Sequence, residues 1–135
     1  MMNDWRAMAI HLFPVRASEF ADSEETPGSH TVFFCLGMDW HHAALTRNEQ
    51  LASKIIEYTE WALGQTQDQK LREAADVSFL EHIADDDLDL ELAEQLFPAT
   101  LYERALGCSA VLKRNVAAWA ERLAASRMRY RALHG

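Results

Sequence analysis

The sequence predicts an all-α fold, a single-domain bundle of about six helices built from antiparallel helical hairpins. Three observations carry that expectation. Apolar residues recur at helical spacing through most of the chain. Turn residues are scarce, with five Gly and three Pro in 135 residues, whereas an all-β chain needs a turn signal every ten residues or so. Short polar side chains suited to capping stand just ahead of several apolar runs. With 49% apolar and 25% charged residues, the chain has the composition of an ordinary globular protein and can bury one core without staples. One domain over 1–135 is the expected organisation.

Asp4 to Leu12 reads as a short amphipathic helix stopped before Pro14. An acidic stretch with Glu19, Asp22, Glu24 and Glu25 then leads to a Pro27-Gly28 turn, so 19–29 is expected to be a mobile acidic loop. Thr31 to Leu36 is rich in strand formers, yet the apolar pattern continues through Met38, Trp40, Ala43 and Leu45, too long for one strand. A helix is predicted there instead. Thr46-Arg47-Asn48-Glu49 has the form of a capping box, and the helix it opens should run to Leu63, with Gly64 as a left-handed C′ residue. Leu51, Ile55, Thr59, Ala62 and Leu63 then share an inner face, opposite Glu49, Ser53, Glu57 and Glu60.

A second signal, Thr66 to Gln69, opens a helix expected over Asp68 to Ala84. It carries Leu71, Ala75, Phe79, His82 and Ile83 on one stripe, with Val77 and Leu80 off it, and so belongs at the centre of the bundle. Asp85-Asp86-Asp87 should end it and cap a helix over Leu88 to Phe97 that Pro98 stops. Thr100 to Glu103 is a third capping box, for a short helix closed by Gly107. Ser109 is expected to cap a long last helix with Leu112, Val116, Trp119, Leu123 and Tyr130 on one face.

Charge narrows the function classes. The net charge is −8, but it is unevenly spread. Glu57 to Glu103 holds thirteen acids against Lys70 and Arg72, while Lys113 to Gly135 holds six bases against Glu121. A phosphate-backbone binder needs a continuous basic field, so nucleic acid is not an expected partner. No apolar run is long enough to span a bilayer, and Met1 is not followed by a basic-then-apolar leader, so neither a membrane nor secretion is expected and the cytoplasm is the predicted location. Cys35 and Cys108 have no paired spacing and lie in apolar runs, as buried reduced thiols do. The acidic middle suits a basic protein partner, unless the basic last helix packs beside it and cancels the charge within the fold.

Motifs that carry chemistry are sparse. The chain lacks a Gly-x-Ser-x-Gly elbow and a Gly-rich phosphate loop, and Asp85 to Asp89 lacks the alternating ligands of a calcium loop. Asp39 with His42 at i, i+3 and His82 with Asp86 at i, i+4 could supply four metal ligands, although a di-metal bundle would need Glu-x-x-His, which is absent. His41 and His42 point about 100° apart on a helix and cannot share one ion without distortion. Of Trp5, Trp40, Trp61 and Trp119, Trp61 falls at the edge of its helix's apolar stripe beside acids, as an interface anchor would.

Leu51, Ile55, Tyr58 and Trp61-Ala62-Leu63, followed by Asp68, Leu71 and Val77 to Ile83, form a pattern that resembles small all-helical bacterial proteins of largely unknown function. Some of these resemble immunity proteins of contact-dependent or polymorphic toxin systems. That resemblance implies a binding protein with no catalytic residues. The expectation is therefore an immunity or antitoxin-type module that neutralises a basic toxin domain, for example a nuclease, without a cofactor. Glu57, Glu60, Trp61, Glu73, Asp76, Asp85, Asp86, Asp87 and Asp89 are its expected contact residues. The alternatives are a metal-binding helical-bundle enzyme using Asp39, His42, His82 and Asp86, or an adaptor homodimer in which the last helix of one chain meets the acidic middle of another.

Overall fold

Over residues 4–21 and 28–135, which the computed structural model describes, every regular element is helical and no strand occurs. Eight α-helices are present there: α1 (Trp5–Leu12), α2 (Ala17–Ala21), α3 (Gly28–Thr46), α4 (Glu49–Leu63), α5 (Gln69–Ser78), α6 (Asp87–Leu96), α7 (Ala99–Leu112) and α8 (Trp119–His134). Two 3₁₀ segments, Pro14–Arg16 and Leu80–Asp85, complete the order. No helix among the described residues is long and apolar enough to cross a membrane.

The strand-like run from Thr31 is helix because its apolar residues follow the helical period: Val32, Phe33, Cys35, Leu36, Trp40 and Ala43 are all buried. α3, rather than the 68–84 region, is the central element, packed by α1, α2, α4, α5 and α6. Phe33, Tyr58 and Phe79 cluster around it, and the Trp40 ring lies 5.0 Å from that of Phe97. Trp40 alone among the four tryptophans is fully buried; Trp5, Trp61 and Trp119 are half-buried against the core. Both cysteines are unpaired, with Cys35 buried and Cys108 only half-buried.

Several boundaries differ from the sequence expectation. Glu19 lies in α2, and Gly28 and Ser29 are buried at the start of α3, so neither end of 19–29 is loop; 22–27 falls outside the described residues. Thr46 ends α3 instead of capping α4, its hydroxyl donating back to the His42 carbonyl. Arg47 takes a left-handed φ of 56° and the Asn48 N–H reaches the Ala43 carbonyl, a Schellman-type closure, while the Asn48 side chain caps α4. Gly64 has an ordinary φ of −75°, not the left-handed one its position suggested.

The helix predicted over 68–84 is two elements. Asp68 caps α5 as expected of its region, but Phe79 leaves helical geometry at φ −134°, ψ −68°, and a 3₁₀ segment follows. The reason is burial on more than one side: the turn lets Phe79, Leu80, Ile83 and Ala84 all face apolar neighbours, and it swings His82 out to solvent. α7 runs straight through Gly107. Ser109 is buried inside it and accepts the Trp119 indole N–H rather than capping a helix, and Leu112 and Val116 precede α8.

The basic end meets the acidic middle of its own chain. Arg122 pairs with Asp87 at 2.7 Å, Arg127 with Glu103 at 3.0 Å, Arg129 with Glu94 at 2.9 Å and Lys113 with Asp85 at 3.7 Å. Four of the six bases of the last stretch are thus paired within the fold, with four of the thirteen acids of the middle.

Candidate functional site

A cleft of about 350 Å³ opens where α3, the end of α5, the Leu80–Asp85 segment and the first turn of α6 converge. Phe34, Met38 and Trp40 from α3 and Phe79 and Ile83 from the opposite wall make its apolar lining, while His41, Ser78, His82 and Asp89 supply polar groups. Phe34 and Met38 sit one turn apart and are 61% and 48% exposed, so this apolar surface reaches solvent.

The acidic rim follows from helix-end chemistry. Asp86 is extended at φ −123°, ψ 136°, and its Oδ1 accepts the N–H groups of Leu88 and Asp89, which fixes the carboxylate at the positive end of α6. Asp89, in the same first turn, is gripped by two consecutive residues of α3: its carbonyl accepts the Trp40 indole N–H at 3.0 Å and its carboxylate pairs with His41 Nδ1 at 2.8 Å. His41 Nδ1 also lies 3.9 Å from Asp86. The hydrogen bond and charge of Asp89 push the His41 pKa up, with a smaller contribution from Asp86. Burial pushes the Asp89 carboxyl up as well, against the pull of His41. On the other rim, His82 Nδ1 is 3.0 Å from Asp85 and its Nε2 3.7 Å from Glu81.

The metal ligands suggested by sequence do not come together. Asp39 is held by Arg16 through two 2.7 Å hydrogen bonds, His42 is exposed, and His82 turns toward Asp85. The group whose ligand atoms do converge among the described residues is His41, Asp86 and Asp89, within 4.8 Å of one another. Three such donors could hold a divalent ion, but Asp86 Oδ1 is already spent on two N–H groups at the positive end of a helix, which disfavours a cation. Ser78 and His30, 2.7 Å apart, are the nearest approach to a nucleophile and base. Ser78 ends α5, where the dipole opposes an alkoxide, and among the described residues no carboxylate is hydrogen-bonded to His30. Burial pushes the Cys108 thiol up to about 11 and raises that of Cys35, so neither is poised as a thiolate.

The acids expected to contact a partner divide into two groups. Asp89 lines the cleft, with Asp86 bonded to its N–H and Asp85 bonded to the lining His82. Asp87 is held by Arg122 and Asp76 by Arg104 at 2.7 and 2.8 Å. Glu57, Glu60 and Glu73 are exposed on α4 and α5, and the Trp61 ring packs 5.7 Å from that of Tyr58. Sequence reasoning missed Phe34, Met38 and His41, although residues 34, 38 and 41 share a helix face by spacing alone.

Neither a curated protein nor a solved structure matches the chain significantly. Residues 9–111, from within α1 to the last turn of α7, match a family model described as a domain of unknown function, DUF7674. All of the cleft residues lie inside that span. Because the match covers well over half of its length, the chain belongs to the DUF7674 family.

Proposed function

We propose that the chain is a protein-binding module whose acid-rimmed apolar cleft takes a basic segment of a partner protein. The observation that carries this is the juxtaposition of exposed Phe34 and Met38 with Asp89 in one cleft, next to Asp86, which bonds the Asp89 N–H, and Asp85, which bonds the lining His82. A partner side chain with an apolar stem and a cationic head matches both chemistries: the stem lies on Phe34 and Met38, and the head faces Asp85 and Asp89. Such complementarity speeds encounter and fixes orientation more than it adds raw affinity. An immunity or antitoxin-type inhibitor of a basic toxin domain, such as a nuclease, is the specific form that the sequence resemblance implies. Asp76 and Asp87 are paired closely within the chain, at 2.7 Å, and Asp85 only loosely with Lys113, at 3.7 Å, so Asp85, Asp86 and Asp89, with Glu57, Glu60 and Glu73, make up the acidic surface offered to a partner.

The test is isolation of untagged protein from its native cell at low salt, with companions identified by mass spectrometry and the same isolation repeated for variants. We expect one basic partner at one-to-one stoichiometry, released by salt, lost with Phe34→Asp and weakened with Asp85→Lys. Phe34 is mostly exposed, so its replacement opens no core cavity. Glu57→Lys, away from the cleft, should weaken binding less than Asp85→Lys. A partner that Phe34→Asp retains, or that salt does not release, would sink the reading.

A further inference from the structure

The carboxylate that lines the cleft has its counter-ion built in. His41, on the facing helix α3, holds the Asp89 Oδ1 at 2.8 Å, and both residues line the opening. No other side chain bonds that carboxylate among the described residues, so the imidazole alone decides how much of its charge is cancelled. Asp86, which accepts the Asp89 N–H, lies 3.9 Å from the same ring nitrogen. These two acids of α6 are the charged groups set against His41. On α3 itself Asp39 is held by Arg16 and His42 is exposed, and α5 contributes the uncharged Ser78. Across the cleft stands His82, with Glu81 and Asp85 of its own segment at 3.7 and 3.0 Å, and Lys113, which follows α7, is 3.7 Å from Asp85.

The state of His41 therefore sets the field that a ligand meets. Protonated, the ring cancels Asp89 and places a cation where a partner's cationic head is to sit; neutral, it leaves the carboxylate's charge standing. Asp89 and Asp86 push the His41 pKa above the ordinary 6.5, so the change of state lies above that value. An Arg or Lys head keeps its charge throughout that range, so the cleft titrates and the ligand does not.

We propose that His41 is a proton-controlled gate on the cleft: as a cation it occupies Asp89 in place of the partner's cationic head, and on losing its proton it yields the carboxylate to that head. The gate rests on the cleft reading and adds what regulates it. The probes are n-hexylguanidinium, an apolar stem with a permanent cationic head, and its uncharged counterpart n-hexylurea. Each is titrated into the full chain and followed by the methyl resonance of Met38, which lines the cleft. From about pH 6 to about pH 9 the hexylguanidinium dissociation constant should fall at least about threefold, the scale of an exposed ion pair, while that of hexylurea stays flat. By reciprocity, saturating hexylguanidinium should lower the pH midpoint of the His41 ring protons in the wild type. His41→Gln should bind hexylguanidinium at the acid end as tightly as the wild type does at the alkaline end, whereas His42→Gln should keep the wild-type pH dependence. A constant indifferent to pH, a dependence that His41→Gln retains in full, or an unmoved His41 midpoint overturns the gate and leaves the cleft reading standing. Failure of both probes to bind at any pH overturns the cleft reading and the gate with it.

Discussion

His41 shows how one side chain can tie two helices and make their union depend on pH. Its imidazole sits beside Asp89 and near Asp86, so the folded chain holds the His41 proton more tightly than the unfolded chain does. The pair's contribution to stability is therefore fully present below the unfolded imidazole value of 6.5 and is lost as pH rises through the higher folded value. Asp89, also shifted upward, acts in the same sense within the carboxyl range. Urea midpoints taken across neutral pH should fall more steeply for the wild type than for His41→Gln, in which that step is absent. Parallel curves would mean that the pairing does not form in solution. His41 was hard to find in sequence because it adjoins His42, and which of two neighbouring histidines meets an acid depends on where α6 docks.

At the scale of elements, the α3–α4 junction separates two ways of reading the same four residues. Thr46, Arg47, Asn48 and Glu49 contain both a capping-box pattern and an Asn directly before a helix. The fold uses the Asn, with its side chain accepting the Leu51 N–H at 3.1 Å. Asn48→Ala should accordingly cost about 1 kcal/mol, as lost N-caps do. Thr46→Ala, which removes only a hydroxyl bonded back to the preceding turn, should change stability by a few tenths at most. Denaturant midpoints of the two variants compare them directly, and an equal or reversed ranking would restore the capping-box reading. The helix centred on 79 shows the converse difficulty. Its apolar positions fit an α-helical stripe, but Phe79, Leu80, Ile83 and Ala84 are wanted on several sides at once, and only a tightened, broken helix delivers that.

For the molecule as a whole, the docking of α8 rests on a buried polar network. Glu94 of α6, 2% exposed, accepts from Arg129 and from the Ser126 hydroxyl, and Ser126 in turn bonds Tyr102. Tyr130 donates to the Phe97 carbonyl, and the His134 ring bonds the Glu94 carbonyl oxygen. Glu94→Ala leaves the buried Ser126 hydroxyl without its acceptor, whereas Tyr102 keeps its bond to Ser126 and Arg129, half-exposed, can turn to water. The expected loss is about 1–3 kcal/mol, that of unsatisfied buried groups rather than of a severed buried ion pair. Chemical denaturation measures it, and a neutral Glu94→Ala would show that α8 is held by its apolar contacts alone.

The sequence by itself determined the helical class, the ends of α1 and α6, the helix through the strand-like run at Thr31, and the acidic first turn of α6. Each depends on residues close together in the chain: caps, Pro stops and apolar spacing. It also posed the question of whether the basic end would cancel the acidic middle, without the means to answer it. Tertiary structure decided that Asp76, Asp85, Asp87, Glu94 and Glu103 pair with bases remote in sequence, that Asp89 lines one cleft with Phe34 and Met38, and that Asp39 and His82 go separate ways. The physical reason is that an ion pair or a cleft wall joins residues tens of positions apart. Their meeting is set by how helices pack, and helix packing is set by the whole core rather than by any local pattern.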